Sequence, residues 1–133
     1  MNTYDSIREE AQLEQTALFE STRAFFAFSN KQILEGMAKN NIKDQSELCH
    51  LFAGLIAPKK NAKAIFEGLK LINHKKNQSI KALKDLDKVI DYELSNYECY
   101  YTGDIATAYE VLKDYGVSKE RVIEVYNKNK GAK

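Results

Sequence analysis

The 133-residue sequence contains a single proline, two cysteines and no tryptophan. With one proline, few positions interrupt a helix, and long helical segments can form along most of the chain. Two cysteines are too few for the disulfide framework of a small secreted domain, so Cys49 and Cys99 are expected to be reduced thiols. The six glycines are scattered and match no phosphate-binding loop, which excludes the common nucleotide-binding motifs.

Long apolar runs are also missing. The longest uncharged stretch, residues 48–58, is far shorter than the roughly 20 residues that a membrane helix needs. The first ten residues, MNTYDSIREE, are polar and acidic, unlike a secretory signal. These features predict a cytoplasmic protein without membrane association, and the chain length predicts a single domain, 1–133.

Apolar side chains recur every three or four residues, a spacing that predicts a mainly α-helical bundle of five or six helices. The first helix is expected over about 3–22. Residues 25–28 are expected to form either a short extended segment or a buried loop, and Ser29 begins the second helix with a capping-box pattern. A third helix is expected to end before Pro58 and to turn four apolar residues inward, Leu48, Leu51, Phe52 and Leu55.

Longer helices are expected in the second half. One begins near Asn61, and from Ile80 an apolar stripe continues to Tyr101, where the following glycine ends the helix. The alternative is an extended segment over residues 97–101, and the unbroken spacing favours the helix. Two further helices follow, and residues 127–133 are predicted to be a frayed tail.

Charge is sorted along the chain, although the net charge is only +1. Residues 59–84 contain eight lysines and one acid, whereas residues 85–115 contain eight acids and two lysines. A lysine-rich face attracts phosphates, and an acidic face attracts a basic partner, although both can be ordinary solvated helix faces. The lysines predicted to contact RNA or an acidic partner surface are Lys59, Lys60, Lys63, Lys70, Lys75 and Lys76.

The segment NYECYYTGD, residues 96–104, combines three tyrosines with two acids. Tyr100 lies off the stripe that continues through Tyr97 and Tyr101, and it is close to Glu98. Tyrosine is common at binding hot spots because it combines a large apolar area with a hydroxyl group. Glu98 and Tyr100 are therefore predicted to contact a basic protein, and the alternative is a half-buried, structural Tyr100.

A helix-turn-helix is one alternative function. The last two predicted helices are joined at Gly116, and the second of them offers Lys119 and Arg121 to a DNA backbone. Glu120 and Glu124 on the same helix oppose that contact. An ordinary helical hairpin gives the same pattern.

The second alternative function is a small enzyme whose active site is centred on Cys99 and the neighbouring tyrosines. The cysteines and histidines show no metal-ligand spacing such as C-x-x-C or H-x-x-x-H. No catalytic residue, metal site or cofactor is therefore predicted, and the protein is expected not to be an enzyme.

Two segments, FFAFSNKQILEGM (25–37) and YELSNYECYYTGDIATAYEVL (92–112), resemble a group of small, functionally uncharacterised proteins encoded by bacteriophages and mobile elements. In that group an F-F-A-F-like segment precedes a capped helix, and an E-L-x-N-x-E-C-x-x-T-x-D-like segment precedes a helix and a glycine turn. The resemblance covers only these two segments and brings no established activity or site residue.

The resemblance implies a small phage-type binding protein, a size class in which anti-CRISPR and other counter-defence proteins are prominent. Together with the charge layout, it leads us to expect a non-enzymatic inhibitor of a host nucleic-acid-handling complex, such as a CRISPR effector. The expected partner is a host protein or ribonucleoprotein, contacted through protein or through guide RNA. The sequence leaves the oligomeric state open.

Overall fold

The structure is a computed structural model that describes residues 3–133, and it is mainly α-helical, as predicted. Seven α-helices and one three-stranded antiparallel sheet lie in this range. The chain divides into two compact units. The sheet unit is Glu9–His74, and the helical unit is Lys75–Lys133 together with the segment that ends at Arg8.

The unit boundaries fall within α1 (Tyr4–Ser21) and α3 (Ala62–Lys81), the two longest helices among the described residues. The bounds of the helices and strands are α1 Tyr4–Ser21, β1 Phe25–Phe26, α2 Asn30–Lys39, β2 Leu48–Phe52, β3 Leu55–Pro58, α3 Ala62–Lys81, α4 Leu86–Asn96, α5 Cys99–Thr102, α6 Ala106–Leu112 and α7 Lys119–Asn129. Short 3-10 turns occupy Gln45–Glu47, Lys59–Asn61, Lys113–Tyr115 and Lys130–Ala132.

The sheet unit is built around β3, the central strand of the order β1-β3-β2. Its residues are buried, and they pack with Ala24 and Ile65 in the core of this unit. The predicted extended segment at 25–28 is confirmed by β1, in which Phe25 pairs with Ile56. The predicted start of α2 is confirmed as well, because the Ser29 hydroxyl accepts a hydrogen bond from the backbone N–H of Gln32.

The third predicted helix is wrong, because its residues form the β2–β3 hairpin. Ala53 and Gly54 both have positive φ, at 44° and 81°, and this left-handed pair reverses the chain between the strands. A buried central strand has a continuous apolar sequence, and a short apolar run of this kind fits a strand or a helix equally well. The spacing alone therefore could not distinguish the two.

The helical unit has its core around α4, which packs against α6 and α7. The stripe that was predicted to continue from Ile80 to Tyr101 is interrupted twice: α3 ends at Lys81 and α4 begins only at Leu86, and Glu98 then adopts a left-handed φ of 56°. This residue changes the direction of the chain, so that Cys99 enters the core while Tyr97 and Tyr101 are exposed. Residues 99–102 are helical, as favoured, but they form the separate turn α5.

The ends of α5 and α7 follow the sequence expectations in part. Gly103 ends α5 with a φ of 78°, and the Ser118 hydroxyl caps α7 by accepting from the Arg121 backbone N–H. Residues 127–129, which were predicted to belong to a frayed tail, form the last turn of α7 instead. Within the described range, no helix is both long enough and apolar enough to cross a membrane.

Candidate nucleic-acid interface

Lysines and a phenylalanine alternate along one exposed face of the sheet unit. Lys63, Phe66 and Lys70 are three and four residues apart on α3, which places them on the same side of the helix. Lys59 lies in the 3-10 turn one turn before Lys63. All three lysines are exposed, and Phe66 keeps 48% of its surface open to solvent.

A second aromatic ring joins this face from the sheet. Phe52, the last residue of β2, is 43% exposed, and its ring centroid lies 6.2 Å from that of Phe66 at an interplanar angle of 41°. This contact was not predicted from the sequence, because the helix predicted over this region placed Phe52 in the core. We call Lys59, Lys63, Lys70, Phe52 and Phe66 the lysine–phenylalanine face.

One acid interrupts the positive charge of this face. Glu67 lies beside Lys63, with 3.9 Å between its Oε1 and the lysine Nζ, and both side chains are largely exposed. An ion pair at this distance and exposure contributes little and leaves the lysine available to another anion. The face therefore retains a net positive charge.

Three of the acids that follow the lysine-rich stretch form ion pairs within the helical unit. Asp87 pairs with Arg121 at 3.0 Å, and Asp91 pairs with Lys133 at 3.4 Å. Glu110 pairs with Lys113, which lies three residues later on the same stretch of helix. These acids are thus neutralised by cations of their own unit.

The six lysines predicted as contacts are divided between the two units. Four of the six belong to the sheet unit: Lys59, Lys60, Lys63 and Lys70. Lys60 is exposed and lies in the same 3-10 turn as Lys59. Lys75 and Lys76 belong to the helical unit. Lys75 already takes part in an interaction within the chain, and Lys76 is half-buried.

The side chain of Tyr100, which was predicted to contact a basic protein, interacts with residues of its own unit. Its hydroxyl donates a 2.7 Å hydrogen bond to Asp91, and its ring stacks on Tyr126 at 5.4 Å. Burial and then this hydrogen bond raise the pKa of Tyr100 to about 12. Tyr100 nevertheless lines a cleft of about 420 Å³ together with Glu98 and Tyr101, and Tyr101, which is 91% exposed, is the more open of the two tyrosines.

A buried acid in the helical unit was not expected from the sequence. Glu93 on α4 is almost fully buried, and one of its carboxylate oxygens has no hydrogen-bond partner among the described residues. Burial raises the pKa of Glu93, while Arg8 and Tyr4 act in the opposite direction. Arg8 in turn lies over the rings of Tyr4 and Tyr92, at 4.5 and 5.0 Å. This cluster anchors the first turn of α1.

Comparison with family models gives one match, described as a family of unknown function (DUF7659), over residues 7–131. The chain belongs to this family. Comparisons with curated proteins and with solved structures gave no match. The matched range includes the whole lysine–phenylalanine face. Membership in the family thus fits the uncharacterised group expected from the sequence.

The helix-turn-helix alternative depends on Lys119 and Arg121. Lys119 is exposed at the start of α7. Arg121 donates a 3.0 Å hydrogen bond from Nε to Asp87, and its Nη2 lies 3.0 Å from the same oxygen. A DNA phosphate would have to displace Asp87 to reach this guanidinium, so α7 offers fewer free cations than its sequence indicates.

The enzyme alternative depends on an accessible thiol at Cys99. Cys99 is fully buried, its Sγ lies 3.9 Å from the carbonyl oxygen of Tyr97, and burial raises the pKa of the thiol. A buried thiol with a raised pKa is a poor nucleophile. Between Thr3 and Lys133, no three cysteine, histidine or acidic side chains are grouped so that they could hold a metal ion.

Proposed function

We propose that this protein is a non-enzymatic inhibitor that binds the nucleic acid of a host complex, in the manner of phage-encoded anti-CRISPR and other counter-defence proteins. The lysine–phenylalanine face is the binding surface, and guide RNA or another exposed strand of the complex is its ligand. The protein acts in the host cytoplasm. The phage context is supported by the resemblance of residues 25–37 and 92–112 to proteins of mobile elements.

The observation that carries the proposal is the row of exposed lysines at Lys59, Lys63 and Lys70 beside two half-open aromatic rings. Each lysine that contacts a phosphate releases a condensed counterion, and this release favours binding at low salt. Glu67 is the one acid of residues 59–84, and its weak, exposed ion pair with Lys63 leaves the row with a net positive charge.

The absence of catalysis in the proposal is supported by two features of the helical unit. The thiol of Cys99 is buried, and the hydroxyl of Tyr100 is held by Asp91. The residues that looked most reactive in the sequence are therefore used for packing. Binding, rather than a chemical step, is the activity that the exposed side chains favour.

The test is a titration of a fluorescently labelled single-stranded RNA with the full chain. A variant with Lys59, Lys63 and Lys70 changed to glutamine is expected to bind at least tenfold more weakly at low salt, because three phosphate contacts are lost. The matched control changes Lys119, Lys128 and Lys130 to glutamine, which removes the same charge from α7 and the turn that follows it.

The two triple variants also separate the proposal from the helix-turn-helix alternative. Loss of binding in the α7 variant, with the α3 variant unaffected, would transfer the nucleic-acid contact to the last helices. Failure of the unmodified protein to bind any RNA or single-stranded DNA at low salt would contradict the proposed function itself. To identify the complex, the protein is used to capture partners from host extract with and without ribonuclease, and the proposal expects capture to depend on intact RNA.

A further inference from the structure

We infer that the lysine–phenylalanine face takes single-stranded rather than double-stranded nucleic acid, with unpaired bases stacked on Phe66 and Phe52. This inference rests on the proposed function and specifies the ligand of the same surface. In a duplex the faces of the bases are covered by their neighbours, and a protein ring cannot reach them. In a single strand every base offers a free face to an aromatic side chain.

The exposure of the two rings supports stacking. Phe66 and Phe52 are 48% and 43% exposed although both are large apolar side chains. Their planes meet at 41° instead of lying parallel, so neither ring fully covers the other. Each ring therefore keeps apolar surface that a base can cover, and covering it removes that surface from water.

The lysines are placed to hold the backbone of a strand on either side of the rings. Lys63 and Lys70 are seven residues apart, about 10 Å along the helix axis, and Phe66 lies between them. A short strand thus meets a cation, a ring and a second cation in order.

The face also contains no arginine. Residues 59–84 contain no arginine, the side chain that most often recognises guanine in a duplex groove. The expected ligand is therefore an unpaired strand, which the face binds with little preference for its sequence. Contacts to phosphates set the salt dependence, and stacking sets the preference for single strands.

The experiment compares three labelled probes: an RNA single strand, a DNA single strand and an RNA duplex. Each strand has about 12 nucleotides, a length within the site sizes of proteins that bind single strands. The expected result is that at least one single strand binds at least tenfold more tightly than the duplex. The RNA and DNA probes identify the polynucleotide. An acidic protein surface is represented by a polyglutamate competitor, which is expected not to displace the strand at equal charge concentration.

Substitution of the rings separates stacking from charge. Phe66→Leu keeps the apolar volume without a flat ring, and it is expected to weaken single-strand binding about fivefold or more while leaving duplex binding unchanged. Phe66→Trp restores a flat ring and is expected to restore the affinity. Tyr101→Leu, which removes an exposed ring from the helical unit, is the matched control.

The outcomes distinguish this inference from the proposed function. Equal affinity for single strand and duplex, or no effect of Phe66→Leu in a variant that melts like the unmodified protein, would overturn the inference and leave nucleic-acid binding in place. Displacement by polyglutamate together with insensitivity to Phe66→Leu would assign the face to an acidic protein. Absence of binding to all probes would overturn both.

Discussion

At the scale of single residues, Glu67 is the one acid among the lysines of residues 59–84, and it projects from the same side of α3 as Lys63 and Lys70. Its carboxylate repels a phosphate that approaches the face. Glu67→Gln is therefore expected to tighten binding of single-stranded RNA roughly two- to fivefold, the size of an exposed charge interaction. The same titration with Glu120→Gln, an exposed acid of α7, provides the control. Weaker binding after Glu67→Gln would contradict the placement of the strand.

A second residue-scale prediction concerns Glu93. Burial raises its pKa in the folded state above the unfolded value, so the folded protein binds a proton more readily than the unfolded chain does. Stability from this group is therefore present at low pH and is lost as the pH rises through the raised pKa. Glu93→Gln does not titrate, and its stability relative to the unmodified protein is expected to increase between about pH 4, below the ordinary glutamate pKa, and pH 7.

This prediction is checked by urea unfolding of the two proteins at both pH values. The charged and titratable groups that influence Glu93 are Arg8, Tyr4 and Tyr115, and they are present in both proteins. Their own titrations therefore cancel in the difference. If the stability of Glu93→Gln relative to the unmodified protein decreases as the pH rises, the attraction of Glu93 to Arg8 outweighs the effect of burial. The interpretation that the pKa of Glu93 is raised would then be wrong.

At the scale of elements, the β2–β3 hairpin positions Phe52 against Phe66. Its turn depends on Gly54, which has a φ of 81°, and the ring of Phe28 lies where a side chain at this position would start. Gly54→Ala is expected to lower the free energy of unfolding by at least about 1–2 kcal/mol, because alanine is strained in the left-handed region. Gly131→Ala, at a position with open space, is expected to have almost no effect. Equal stabilities of the two variants in urea would contradict this reading of the turn.

The elements also indicate what sequence periodicity can and cannot predict. Local signals predicted the start of α2 at Ser29 and the glycine that ends α5, because capping depends on neighbouring residues. The hairpin was missed, because Leu48, Leu51 and Leu55 fit helical spacing and only Ala53-Gly54 indicated a turn. The left-handed Glu98 carries no signal in its residue type, so the exposure of Tyr101 could not be anticipated.

At the scale of the whole molecule, the separation of charge was visible in the sequence, but its consequence was not. The order of lysines and acids predicted two faces of opposite sign, whereas the structure pairs Asp87 and Asp91 with cations of the helical unit. The lysines of the candidate site were predicted from composition, whereas Phe52 was not, because its place in the site depends on the contact of its ring with Phe66, which is remote in the chain. Long-range contacts of this kind leave no trace in local spacing.

The central claim is that the exposed lysines and the two phenylalanine rings of the sheet unit jointly bind a single strand of nucleic acid. The most direct measurement is the affinity for single-stranded RNA between about 50 and 200 mM salt, with the slope of log affinity against log salt compared among variants. The glutamine variant at Lys59, Lys63 and Lys70 is expected to lose about 2 from the slope, at about 0.7 per phosphate contact. Phe66→Leu is expected to weaken binding with an unchanged slope. An unchanged slope in the lysine variant would contradict the account.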